Sequence, residues 1–325
     1  MDLSTTYLGL KLPSPLIVGA GPLGDELDTV RALEDAGASL LVMRSLFEEE
    51  ITGEQMHAFK HTEGYSGANA EAYSFGPDPE SALGPDEYLE QLQEIKQAVN
   101  IPVVASLNGC SPGGWTSYSR LLQDAGADAM ELHVYHAASD VTMSAADVEK
   151  QAVEVVREVK RAVTIPVAVK LTPLYTAFAH FAQQLDAVGA DGFVLFTRFH
   201  KVDIDVDELE LVRSMPLSDS SELTMRLRGT AILSGRVKAS LAVTGGIHTG
   251  LDVIKATMAG AHATQLVSAL LRHGPGHLRT VRQEIEAWML EKEWPSLNEM
   301  RGNMSLGRIP NPAEYERANF RMALR

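Results

Sequence analysis

Several residues of the right chemical type stand just where apolar runs of the chain end. Lys170 closes Ala168-Val169-Lys170-Leu171, and such a lysine emerges either as an active-site cation or as the partner of a strand-end acid such as Glu131. His133 and His136 close Glu131-Leu132-His133-Val134-Tyr135-His136. In an extended chain 131, 133 and 135 share one face and 136 faces away. Histidine titrates near neutrality and suits proton transfer, though a rim histidine also serves as a hydrogen-bonded loop residue. A metal site would need a third ligand, and no His-Glu-x-x-His or Cys-x-x-Cys pattern is present. Arg44 would bind an anion or pair with Glu48–Glu50. Cys110, in Asn108-Gly109-Cys110, has no evident activating base and reads as an inert small residue. Thr244-Gly245-Gly246 and Ser268-Ala269 each follow an apolar run. They offer close backbone approach and N–H groups, which suits an anion such as phosphate.

The elements that must position these residues repeat. Apolar strands are expected at 15–18, 40–43, 102–106, 129–133, 166–170, 192–196, 241–243 and 264–267, with helical segments between most of them. Continuous rather than alternating apolar runs suit parallel strands buried on both faces. Eight strand–helix units predict one (β/α)8 barrel over residues 1–325, its active site at the C-terminal strand ends. Ala36-Gly37-Ala38, Ala125-Gly126-Ala127, Val188-Gly189-Ala190 and Ala259-Gly260-Ala261 read as helix C-caps. Asp25 is the expected cap of a helix over 25–34, and another helix begins near Thr249. Long loops, 47–84 after strand 2 and 201–236 after strand 6, leave the catalytic rim. The tail, 278–325, reads as an amphipathic helix and a second short helix on the barrel exterior.

Composition narrows the function. Of 325 residues, 43 are acidic and 28 basic, for a net charge of −15, which argues against a nucleic-acid partner. No apolar run reaches the ~18 residues of a membrane span, and residues 1–15 do not read as a signal peptide. One cysteine excludes an internal disulfide and a cysteine-ligated iron–sulfur cluster within the chain. The expected address is the cytoplasm.

Taken together, Gly19-Ala20-Gly21, Glu131-Leu132, Val169-Lys170-Leu171, Thr244-Gly245-Gly246-Ile247 and Ser268-Ala269-Leu270 resemble the dihydroorotate dehydrogenases over about residues 1–305, closest to the bacterial dihydroorotate dehydrogenase-like proteins. The resemblance implies FMN. Gly245, Gly246, Ser268 and Ala269 would hold its phosphate, Ala20 and Gly21 would lie against its ring, Lys170 would approach the N1–O2 edge, and Thr197 would contribute a hydroxyl. The family's strand-4 motif, Asn-x-Ser-Cys-Pro-Asn, is replaced here by His133-Val134-Tyr135-His136-Ala137-Ala138. His136 thereby takes the place of the base, with Tyr135 as its alternate, while Arg44, Asn108 and His133 are left to hold the substrate. The implied reaction is dihydroorotate to orotate. A small-molecule substrate, a soluble acceptor such as fumarate and a second copy in a homodimer are the expected partners. The alternatives are an FMN oxidoreductase of another small substrate, or a non-redox phosphate-binding barrel acting as lyase, isomerase or binding module.

Overall fold

Eight short apolar strands close into a parallel barrel, and a computed structural model describes residues 1–48, 84–109, 115–134, 139–199 and 201–316. The first half runs β1 (Thr5–Tyr7), β2 (Leu10–Leu12), β3 (Leu16–Val18), α1 (Leu27–Asp35), β4 (Leu41–Phe47), α2 (Pro85–Ala98), β5 (Val103–Gly109), α3 (Trp115–Asp124), β6 (Ala129–Val134) and α4 (Ala145–Ala162). There follow β7 (Val167–Leu171), α5 (Phe178–Ala187), β8 (Gly192–Leu195), β9 (Lys201–Asp205), β10 (Glu210–Ser214), α6 (Leu223–Leu233) and β11 (Ser240–Thr244). The last are α7 (Gly250–Ala259), β12 (Ala263–Leu266), α8 (Ser268–His273), α9 (His277–Glu291), α10 (Leu297–Met300) and α11 (Ala313–Glu316). The barrel order is β3-β4-β5-β6-β7-β8-β11-β12, with β12 pairing back onto β3. Among the described residues no helix is long and apolar enough to cross a membrane.

Strand alternation sorts the barrel into an apolar outside and a layered inside. Ile17, Val42, Val104, Ala129, Ala168, Val194, Ala242 and Ala263 form the inner apolar layer. Tyr7, Leu8 and Leu12 of the β1–β2 hairpin pack into it from the N-terminal end of the strands. Two residues further along, on the same faces, stand Ser106, Glu131, Lys170, Thr244 and Gln265. Floor and mouth thus differ in chemistry because each strand places small or apolar side chains first and polar ones second.

The Gly-containing turns are helix caps, as the sequence suggests. Gly37, Gly126, Gly189 and Gly260 have φ of 98, 99, 99 and 126°. In each turn the following alanine N–H reaches back to the helix, as in Ala38 N–H to Leu33 O at 3.0 Å and Ala127 N–H to Leu122 O at 3.2 Å. Side chains then anchor the next strand. Asp128 Oδ2 accepts from Val103 N–H at 2.7 Å, and Asp191 Oδ2 from Val167 N–H at 2.7 Å.

The structure departs from the sequence reading in several places. The cap of α1 is Glu26, because Asp25 closes the preceding 3-10 turn, Pro22–Gly24, and so stands one residue before the cap. The β1–β2 hairpin and α10 went unrecognised, being too short to show a period. The loop after strand 6 is shorter than 201–236, since its Leu/Arg-rich part is the barrel helix α6. That helix buries Leu223, Arg226, Gly229, Thr230, Ala231 and Leu233 on several sides, so it has no apolar stripe to read. What remains of the loop holds the β9–β10 hairpin. Of the loop after strand 2, Phe47 extends β4 and Gly84 caps α2, whereas residues 49–83 lie outside the described residues.

His262, at the start of β12, accepts from Leu241 N–H through Nδ1 at 3.0 Å. Burial, aided by Arg301, pushes its pKa down to about 4. In the unfolded chain the imidazole protonates near 6.5, so between pH 7 and pH 5 the unfolded state gains a proton that the folded state refuses. His262 is therefore expected to cost stability on the order of 1–2 kcal/mol over that interval. Urea unfolding at both pH values should show a smaller loss for His262→Gln, and equal losses would contradict a neutral His262.

Candidate active site

The mouth of the barrel is organised by a buried charge pair. Lys170 Nζ donates to Glu131 Oε1 at 2.9 Å, with side-chain exposures of 12% and 1%. Gln265 Nε2 donates to the other carboxylate oxygen at 2.6 Å. The lysine's two readings are thus compatible: it is paired, and it also lines a cavity. Because Glu131 is acceptor-only, it fixes which end of the Gln265 amide faces it. Glu131, Lys170 and Gln265 belong to β6, β7 and β12, so three strand ends are tied to one carboxylate.

Beside this pair, β11 ends in a turn that only glycine accommodates. Gly245 and Gly246 have φ of 83 and 80°. A Cβ on Gly245 would lie 2.7 Å from Arg226 Nη2, and one on Gly246 would lie 2.6 Å from Leu223 N. Arg226 is buried beneath the turn and donates to the carbonyls of Thr244 and Glu222. The backbone is therefore pressed against α6 on one side and open to the cavity on the other. Ser268 begins α8, whose first N–H groups have no partner within the helix.

A cavity of about 300 Å³ joins these features, within the range of small-molecule sites. Ala20, Gly21, Lys170, Thr197, Gly245, Gly246 and Ser268 all line it. Ala269 is buried behind Ser268 and is not part of the wall. Thr197 is set at the rim by its N–H to Leu171 O at 2.9 Å. The returning limb of the loop after β8 supplies the outer wall through Met215, Leu217 and Ser218. That limb is pinned by Ser218 N–H to Ser268 Oγ at 3.0 Å and by Ser218 Oγ with His248 Nε2 at 3.0 Å. These wall residues, together with Arg198, Arg226 and Gln265, escaped sequence reasoning. The departure of the long loop from the catalytic rim was the only signal for any of them.

The remaining expected residues stand along the next strand ends. Asn108, His133 and Lys170 occupy adjacent register positions on β5, β6 and β7. His133 has its pKa pushed down to about 3 by burial and by Lys170, so it is neutral at physiological pH and suits hydrogen bonding rather than charge pairing. The β4–β5 register breaks between Val42 and Ser45. Ser45 there shares a 2.7 Å hydrogen bond with Ser106, while Arg44 stands 3.9 Å from Asp25 Oδ2. Tyr135, His136 and Cys110 lie outside the described residues.

Removing Glu131 alone strands the Lys170 ammonium in a buried setting. Glu131→Leu is expected to destabilise the fold by ~3–5 kcal/mol, and Lys170→Met in the same chain to restore much of that loss. A double-mutant cycle from urea unfolding measures the coupling. Additive effects would mean that the pair is solvated.

The positions of these residues can be set beside known proteins. A family model described as "Dihydroorotate dehydrogenase" matches residues 2–289. The chain is 28% identical over 309 residues to the catalytic subunit of dihydroorotate dehydrogenase B (NAD(+)) of Thermoplasma volcanium, covering 93% of this chain and 98% of that protein. It is 27% identical over 307 residues to the putative dihydroorotate dehydrogenase A (fumarate) of Aeropyrum pernix, covering 93% and 97%. It is 24% identical over 335 residues to the NAD-dependent dihydropyrimidine dehydrogenase subunit PreA of Escherichia coli, covering 95% and 78%. With a match that runs through every barrel strand and both halves of the cavity wall, the chain belongs to the dihydroorotate dehydrogenase family.

Proposed function

We propose that the chain is an FMN-dependent oxidoreductase that converts dihydroorotate to orotate. The observation that carries this reading is the joining of a glycine-only cradle to the Glu131-held Lys170 across one cavity. A Cβ at Gly245 or Gly246 would strike Arg226 or Leu223 of α6, so only glycine lets the turn sit back against the helix and leave its other side open to close approach by a phosphate. When bound, FMN supplies the acceptor for the hydride lost from the substrate's CH–CH bond.

The chain's own residues do the rest. The main-chain N–H groups of Gly245, Gly246 and Ser268, which line the cavity, bind the phosphate. Ala20 and Gly21 offer a wall without bulk for a flat ring, and Thr197 adds a hydroxyl at the rim. Lys170, kept aimed into the cavity by Glu131 and Gln265, would supply a cation to stabilise negative charge on the bound group. His136 removes the substrate proton, with Tyr135 as the alternate base. Arg44, Asn108 and His133 receive the polar edge of the substrate, His133 as a neutral partner. A soluble acceptor such as fumarate would be the partner that takes up the electrons, and a cytoplasmic homodimer is the proposed setting.

A second reading keeps FMN and changes the substrate. It is favoured by His133, a neutral imidazole at a position where the family resemblance places an asparagine amide. The amide offers both a donor and an acceptor on rigid geometry, whereas a neutral imidazole offers one of each on opposite sides of its ring.

The absorption spectrum of the purified chain after reconstitution with FMN tests the cofactor. Dihydroorotate added under nitrogen is expected to bleach the flavin band with release of one orotate per flavin. His136→Ala should slow that bleaching by about 10²–10⁴. A band that persists sinks the substrate assignment, and a protein that takes up no FMN sinks the cofactor assignment.

A further inference from the structure

A second cavity, of about 520 Å³, lies at the opposite end of the barrel, where β11 and β12 begin. Its walls are the turn between α6 and β11, the end of α7 and the segment around and after α10. They carry Arg236, Lys238, Arg301 and Arg308, and among the described residues no Asp or Glu lines the cavity. This is unusual for a chain of net charge −15. None of the four cations has an ion-pair partner among the described residues. Asp186 approaches the turn, but its Oδ1 accepts from the N–H groups of Lys238 at 2.9 Å and Ala239 at 2.8 Å.

Cations at this end have an ordinary purpose, because α6 and α7 finish here and helix C-termini are negative. Arg301 serves that purpose: its Nε donates to Ala261 O at 3.2 Å, and its Nη2 donates to Thr5 Oγ1 at 2.8 Å. The magnitudes leave an excess. Two helix ends supply roughly −1 in all, at about −0.5 each, against four full positive charges, so the surplus is about +3. Arg236, Lys238 and Arg308 are exposed and, from their places on the wall, free to meet a ligand.

We propose that this cavity binds the diphosphate group of a small molecule. A diphosphate carries charge of the size needed to balance the excess, and guanidinium forks match phosphate oxygens in pairs. The volume is larger than the phosphates require and leaves room for an attached group, which makes a nucleoside diphosphate the natural class. The ligand would sit at the beginning of the two strands whose other ends carry Gly245–Gly246 and Ser268. The inference is independent of the flavin reading.

Calorimetric titration of the full chain, kept in excess FMN, with inorganic pyrophosphate and separately with ADP tests the proposal. One diphosphate per chain is expected to bind, weakening as NaCl is raised. The combined Arg236→Glu and Arg308→Glu substitutions should weaken it at least tenfold without lowering the melting temperature, and Lys238→Gln should weaken it a few-fold. ADP binding tighter than pyrophosphate assigns the site to nucleotides, and equal affinities assign it to free diphosphate. Absence of binding, or binding that the substitutions leave unchanged, as it would be at the Gly245–Gly246 cradle, overturns the proposal.

Discussion

A lysine ammonium held in the mouth of an apolar barrel needs a counter-charge that cannot drift away. Glu131 meets that need from the neighbouring strand and is itself held by Gln265 from the other side of the barrel. Removing two charges from water is costly, and only close pairing with additional hydrogen bonds offsets that cost. The pair therefore constrains β6, β7 and β12 together. It leaves a cation facing the cavity whose position is set by strand register rather than by a mobile loop.

The two ends of the barrel carry different burdens. Near the strand starts, glycine turns at positive φ and carboxylates accepting from strand amides repeat almost without change, because they only return the chain from helix to strand. At the strand ends the connections diverge, and chemistry-bearing side chains gather there. This division of a barrel into a stabilising end and a working end follows from the parallel strand order. The basic cavity is the exception, an open and unbalanced feature on the end otherwise given to stability.

Arg226 shows how a helix reaches the site without touching the cavity. Its guanidinium lies against Gly245 and holds the carbonyl before it, so the turn cannot relax outward. The same helix, α6, fills the space beside Gly246 through Leu223. The cradle depends on helix packing as much as on its own two glycines.

Residue order alone determined the barrel, since eight apolar runs at regular spacing have few ways to bury both faces. It also marked the four capping turns, the start of α7 near Thr249 and the residues at most strand ends, Lys170 and Gly245–Gly246 among them. What it left open was decided by contacts between distant segments. Gln265 and Glu131 are 134 positions apart, and Ser218 meets Ser268 across 50, so no local pattern could pair them. Helix α6 was illegible because burial on several sides erases the amphipathic period. The neutrality of His133 likewise follows from burial beside Lys170, which closure of the barrel creates and residue type cannot announce.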